Sequence, residues 1–247
     1  MTFFFDPPLK MIELIIKIIS SFSLSRRTGN DTLLAKWVDY VEEIYVKFLF
    51  ELLSKDLETY HHSLRVGNMA NIFADQLNFS NEQKQKLIIG CCLHDCGKIL
   101  ISNEVLNKEG SLTPKEWEVM KCHPIMGMRL LLAEGDIDEE IIDIVKFHHE
   151  RLDGLGYPFG MKGEEIPIHA RICTIIDAYD SMLSNRAYRK GISPLKAREE
   201  LLKHCTTQFD EFYVREFLSI PEHLLETREI GCELKDYYSI NTLQTRG

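Results

Sequence analysis

Apolar side chains recur at three- and four-residue spacing along most of this chain, and that repeat restricts it to helices packed on helices. Leu34, Trp37, Val38, Val41, Ile44, Tyr45, Phe48, Leu49 and Leu52 form one stripe, and segments 62–78, 83–94, 114–133, 137–149 and 166–184 read the same way. Helix-start signals agree: Ser80 precedes Asn-Glu-Gln, and Thr113-Pro114 sets a capping residue before a first-turn proline. Strand signals are sparse. Gly and Pro gather at 153–168, which reads as one long ordered loop. The expectation is an all-α domain over 55–225, preceded by a helical N-terminal extension (1–54) and followed by a tail (226–247).

Composition narrows the function. With 247 residues and 45% hydrophobic content, the chain has enough material for a substantial core. A formal charge of -9 argues against broad binding to DNA or RNA, which needs a basic surface. It leaves room for a small anionic substrate, because bound divalent metals reverse the local field. The seven cysteines form an odd set without disulfide-framework spacing and are read as free, mostly buried thiols in a reducing cytosol. Residues 11–20 are apolar but carry Glu13 and Lys17, too short and too charged for a membrane span. They read as an amphipathic helix that packs on a neighbouring domain or on a second subunit, and they lack the pattern of a signal peptide.

Histidine and carboxylate groups stand in separate segments: Glu58 with His62, the pair His94-Asp95, the single His123, the pair His148-His149, and Asp177. Imidazole nitrogens and carboxylate oxygens suit divalent transition ions better than calcium, and eight such groups exceed what one ion accepts, so two or three ions are the natural reading. Glu58 and His62 are four apart and share a helix face, whereas His61 points about 100° away. Read alone, a Glu/His pair at this spacing is a surface contact, an isolated His-Asp is a capping carboxylate beside a satisfied histidine, and His123 is a helix-terminal surface residue. Neighbouring His148 and His149 would repel if both were protonated, which a metal avoids. Asp177 closes a buried apolar stretch, and Asp180 follows it one turn on.

Longer strings separate these readings. His94-Asp95-Cys96-Gly97-Lys98, Leu112-Thr113-Pro114-Lys115-Glu116-Trp117 running to His123-Pro124, and His148-His149-Glu150-Arg151-Leu152-Asp153-Gly154-Leu155-Gly156-Tyr157-Pro158 occur in this order. Together they resemble the HD-GYP family of metal-dependent cyclic-dinucleotide phosphodiesterases, from about Glu58 to Phe217. The chain departs from the family pattern at Cys96, Ser102-Asn103, Glu109, Asn185 and Glu211, none of which removes a ligand.

The resemblance implies a compact HD-domain helical bundle with the GYP loop beside a metal cleft. It implies metal ligation by Glu58, His62, His94, Asp95, His123, His148, His149 and Asp177, with two or three divalent transition ions, iron or manganese. His94, Asp95 and Lys98 are then catalytic, and Lys98, Tyr157, Arg186 and Arg189 contact substrate. Glu58 matches the extra carboxylate of three-metal members. The implied reaction is hydrolysis of 3′,5′-cyclic di-GMP to pGpG and onward to GMP. The alternatives are another cyclic dinucleotide such as cyclic GMP-AMP, or a non-catalytic cyclic di-GMP receptor. A cytoplasmic protein without a transmembrane segment is expected, with a homodimer through the N-terminal helices as a further expectation.

Overall fold

Asp56, Ser80, Thr113, Asp138, Ser193 and Asp210 each turn a side-chain oxygen onto a backbone N–H two or three residues ahead, and a helix begins after each of them. Such caps satisfy donors that the first helical turn leaves unpaired. Ser80 with Gln83 and Thr113 with Glu116 complete reciprocal capping boxes. The computed structural model describes residues 32–185 and 190–225, with side chains from residue 44 onward. Its helices are α1 (Thr32–Lys55), α2 (Leu57–Gln76), α3 (Asn81–Leu93), α4 (Asn103–Leu106), α5 (Pro114–Met120), α6 (His123–Ala133), α7 (Glu139–Phe147), α8 (Ile168–Leu183), α9 (Pro194–Lys203), α10 (Glu211–Ser219) and α11 (Glu222–Leu225). Tight 3-10 turns occupy Cys96–Leu100 and Gly163–Glu165, and the described residues contain no β-strand. The all-α expectation holds.

Lys47–Leu225 forms one compact unit. The other unit, Met1–Val46 with Glu226–Gly247, contributes to the described residues only the first part of α1. Expectations that rest on residues 1–31, including the amphipathic helix at 11–20, lie outside the described residues.

Within Lys47–Leu225, α2 packs on α3 and α8, α3 on α7, α7 on α6 and α8, and α8 on α9 and α10. Phe48, Leu52, Met69, Phe73, Leu87, Leu93, Ile144, Ile175, Tyr179 and Phe217 are almost wholly buried in this core. Phe217 lies edge-on to both Phe73 and Tyr179, with ring centroids 5.2 Å apart in each pair. That geometry contributes about 0.5–1.5 kcal/mol per pair beyond burial. No helix among the described residues is long and apolar enough to cross a membrane.

The continuous helix expected over 114–133 is instead two helices, α5 and α6, broken at Lys121 and Cys122. Pro124 explains the break: it has no N–H to donate, and its ring excludes the carbonyl one turn earlier. Gly97 then holds α6 against the Cys96–Leu100 turn. A Cβ on Gly97 would overlap the His123 carbonyl and lie 2.5 Å from the Gly127 nitrogen. Both obstacles are backbone, so neither can rotate aside. Gly97→Ala is therefore expected to lower the unfolding free energy by about 1–3 kcal/mol, seen as a lower denaturant midpoint at unchanged slope. A midpoint equal to the parent's would show that this contact has slack.

Candidate metal centre

Three histidines stand at helix ends and use the same local device. His94 Nδ1 donates to Cys91 O at 2.7 Å, His123 Nδ1 to Met120 O at 2.8 Å, and His148 Nδ1 to Val145 O at 2.9 Å. Each bond takes a carbonyl from the last helical turn, which has no intrahelical partner. With the proton held on Nδ1, Nε2 presents a lone pair. These lone pairs converge. His123 Nε2 and His148 Nε2 are 3.2 Å apart, and His94 Nε2 lies 3.2 Å from Nε2 of His62, which α2 brings in. His62 is fixed from behind, its Nδ1 2.7 Å from Asp180 Oδ2, while Arg65 Nε and Nη2 donate to the same Asp180 carboxylate at 2.8 and 2.9 Å.

The donor atoms fall into two groups, Asp95 with His123, His148 and His149, and His62 with His94 and Asp177, each gathered within 4.8 Å. Asp95 joins the two. Its Oδ1 is 3.2 Å from His123 Nε2, and its Oδ2 is 3.4 Å from His94 Nε2 and 3.8 Å from His62 Nε2. Asp177 Oδ1 lies 3.0 Å from His62 Nε2. Lys98, one turn beyond Asp95, donates to Asp95 Oδ2 at 2.6 Å.

Burial sets the charge states. It holds the His94 imidazole below its ordinary pKa and His148 well below, and it takes His123 down to about 3 and His149 to about 4. Burial opposes ionisation of Asp95, but Lys98 and then His94 and His123 outweigh it and hold the carboxyl well below its usual range. Burial likewise opposes ionisation of Asp177, and its bond and charge contact with His62 win. His62 differs from the other imidazoles: burial pulls it down, yet Asp177 and Asp180 together raise it to about 9.

Four neutral imidazoles and two carboxylates thus face one another around a buried centre. Asp95 Oδ1 is buried and accepts no hydrogen bond, and neither Nε2 of the His123–His148 pair carries a proton to share. Confronted lone pairs without a donor are costly away from water. Divalent transition ions with mixed nitrogen and oxygen ligands resolve the conflict, so the residues fit a metal centre.

A cleft of about 380 Å³ reaches one residue of each group, His149 and Asp177, and is lined also by Thr174, Trp117, Lys121, Arg151, Tyr157 and Gln208 among others. Its loop wall is held by Glu150, a buried carboxylate that accepts from Phe159 N at 2.7 Å and Met161 N at 3.0 Å. Gly156 is obligatory there, because a Cβ would come within 2.6 Å of Glu150 Cα and the His149 carbonyl. Tyr157 packs its ring 4.7 Å from that of His149. Burial raises its hydroxyl above the ordinary phenol range, so it stays protonated.

Of the residues singled out in the sequence, His62, His94, Asp95, His123, His148, His149 and Asp177 come together, Lys98 pairs with Asp95, and Tyr157 lines the cleft. Glu58 belongs to neither ligand group; it is 57% exposed, with Oε1 3.8 Å from Arg65 Nη2. His61 lies outside both groups as well, its ring edge-on to Tyr60. Arg186 and Arg189 lie outside the described residues. Sequence reasoning passed over Glu150, although a carboxylate directly after two ligands and before a glycine-rich loop is a readable signal. It also passed over Thr174, whose hydroxyl donates to the His148 carbonyl at 2.7 Å.

The HD domain family model matches residues 47–212. A cyclic di-GMP phosphodiesterase of Thermotoga maritima is 35% identical over 195 residues, covering 74% of this chain and 52% of its own length. A 3′3′-cGAMP-specific phosphodiesterase of Vibrio cholerae is 32% identical over 171 residues, covering 69% of this chain and 37% of its own. Among solved structures, the L. monocytogenes phosphodiesterase PgpH HD domain in complex with cyclic-di-AMP superposes with a TM-score of 0.52 at 20% identity, covering 73% of this chain and 94% of that one, a likeness of fold. The chain spans between about a third and a half of the length of the curated relatives it matches. A family model that matches more than half of the chain, over the segment that builds the histidine–aspartate centre and its Gly156-Tyr157-Pro158 loop, shows that the chain belongs to the HD-domain family.

Proposed function

We propose that the chain is a metal-dependent phosphodiesterase that hydrolyses 3′,5′-cyclic di-GMP to pGpG and onward to GMP. The observation that carries this reading is Asp95, whose two oxygens face two separate ligand groups at the inner end of one cleft. A carboxylate so placed would contribute to holding ions in both groups. When bound, divalent ions polarise a phosphodiester and lower the pKa of water, supplying hydroxide near neutral pH. The protein's own residues do the rest. His62, His94 and Asp177 would hold one ion, and His123, His148 and His149 the other. Asp180 orients His62. Lys98 keeps Asp95 ionised and stands beside it to meet a phosphate oxygen, and Arg186, Arg189 and Tyr157 contact the substrate's phosphates and base. The mixed nitrogen and oxygen set suits divalent transition ions, and the family resemblance points among them to iron or manganese. Two ions are the preferred count, because Glu58 faces solvent rather than the centre.

A second reading, hydrolysis of cyclic GMP-AMP, is favoured by the relatives of that specificity. Comparing the two cyclic dinucleotides as substrates decides between them. A cytoplasmic site of action agrees with the free thiols at Cys91, Cys92, Cys96, Cys122, Cys173 and Cys205. The proposed homodimer through the N-terminal helices rests on residues outside those described.

The decisive experiment is metal analysis of purified protein together with product chromatography on cyclic di-GMP, with iron and with manganese. Two ions per chain and a pGpG product are expected, and His94→Ala and Asp95→Ala should each abolish turnover and lower metal content. Full activity in a metal-free preparation would sink the reading.

The bond from His62 to Asp180 gives a second test. Asp180→Asn should weaken metal binding about ten- to hundredfold, measured by competition with a chelator. In the parent, a proton held on His62 up to about pH 9 competes with the ion. Affinity should therefore rise as pH goes from 7 to 9. Affinity independent of pH in that window would remove His62 from the ligand set.

Glu58→Gln separates two ions from three. Unchanged metal content and an unchanged ratio of pGpG to GMP are expected. Loss of about one equivalent would restore Glu58 as a ligand.

A further inference from the structure

Among the side chains that line the cleft, Arg151, Gln208 and Lys121 offer hydrogen-bond donors. Arg151 gives Nε and Nη2 to Asp153 at 3.0 and 2.6 Å, and Nη1 to Gln208 Oε1 at 3.1 Å. A guanidinium has no acceptor, so this contact assigns the amide: Oε1 faces Arg151, and the NH2 group of Gln208 is left to donate. Among the described residues none accepts from it. Lys121, whose ammonium is paired with Glu118 Oε1 at 2.7 Å, adds a third donor group to the same lining. The nearby carboxylates are committed, Glu150 to the backbone of Phe159 and Met161, and Asp153 to Arg151 and the Leu155 N–H.

Gln208 is held in place although it is 57 positions from Arg151 in the chain. Asp153 N donates to Thr207 O at 2.8 Å and Leu152 N to Gln208 O at 3.4 Å, tying the 207–208 segment to the loop. The aromatic part of the lining is Tyr157 and Trp117, whose rings stand 6.3 Å apart at 78°. Trp117 is 46% exposed, unusually open for a ring of its size, and leaves a face for stacking.

We infer that this end of the cleft is a purine subsite selective for guanine, in which Trp117 stacks on the base and Gln208 with Arg151 reads its edge. Guanine presents two adjacent acceptors, N7 and O6, on one edge, whereas adenine presents an acceptor beside an amine donor. The donors of Gln208 and Arg151 satisfy the first and set donor against donor with the second. The assignment rests on the reading of this cleft as a cyclic-dinucleotide site, and it makes Gln208 a determinant of specificity.

The test is calorimetric binding of GMP and of AMP to the metal-loaded full chain, since the two share ribose and phosphate and differ in the base. The parent should bind GMP about tenfold more tightly, the scale of one satisfied against one thwarted hydrogen bond. Gln208→Glu replaces the donating amide by an acceptor while keeping the contact with Arg151, and it should erase or reverse the preference. Trp117→Ala should weaken both nucleotides about five- to hundredfold and leave their ratio near the parent's. Should Gln208→Glu fail to fold by circular dichroism, Gln208→Met, which cannot donate, is expected to lose the preference. A parent that binds GMP and AMP alike, or a ratio unmoved by either substitution, overturns the subsite. Turnover of cyclic di-GMP on the same preparation separates the two proposals. Discrimination of the bases without hydrolysis would overturn the phosphodiesterase and keep the subsite, while hydrolysis without discrimination would do the reverse.

Discussion

Everything at the centre of this molecule depends on where three imidazole protons sit. His94, His123 and His148 each donate Nδ1–H to a carbonyl three residues back, and so each must turn a bare Nε2 inward. The surrounding core keeps those rings neutral by excluding water. Neutral rings with inward lone pairs, ringed by the Asp95 and Asp177 carboxylates, form an arrangement that favours cations and penalises their absence. Folding and metal binding are therefore thermodynamically linked, because ions bound only by the folded chain stabilise it in proportion to RT ln(1 + [L]/Kd).

Helix ends serve the centre in a second way. The end of α3 delivers His94 and Asp95, the start of α6 delivers His123, and the end of α7 delivers His148 and His149. Such positions let the backbone change direction immediately beyond the side chain, so that the neighbours His94 and Asp95 fall into different donor groups while His148 and His149 share one. The proline that splits α5 from α6 belongs to this design, since an unbroken helix would carry His123 past the centre along its own axis. Gly97 completes it by letting the turn after Asp95 touch the His123 backbone directly.

Much of this was legible in the sequence because ligand identity and order are local words. The strings around His94-Asp95, His123 and His148-His149 carry residue types suited to holding ions, and seven of the eight candidate ligands nominated by the strings, the spacing and the resemblance do converge. Glu58 shows where such reasoning stops. A four-residue spacing puts it on the helix face of His62, but spacing says nothing about how deep each turn of α2 lies. Leu57 and Glu58 are exposed while Thr59 and Tyr60 beside them are buried, and the carboxylate approaches Arg65 instead. The break between α5 and α6 was hidden because apolar periodicity is the same on both sides of it, although Pro124 was in plain view. The partners of Glu150 and Gln208 were hidden for another reason, even though the place of Glu150 beside two candidate ligands could be read. Those partners are backbone groups or side chains brought near only by tertiary folding, at separations from nine to 57 residues.

The clasp made by Glu150 bears on how a ligand enters. One buried carboxylate holds two amide hydrogens of the loop at 2.7 and 3.0 Å, and this carboxylate is the immediate chain neighbour of His149. The loop wall is thus anchored to the same stretch of backbone that carries the metal ligands, and it is in place before anything binds. A wall of this kind works as a mould and not as a shutter. A ligand that fits loses its own freedom on entry without also having to order the protein. Selection then falls on shape and on hydrogen-bond polarity at the moment of contact, and release requires no loop to unfasten.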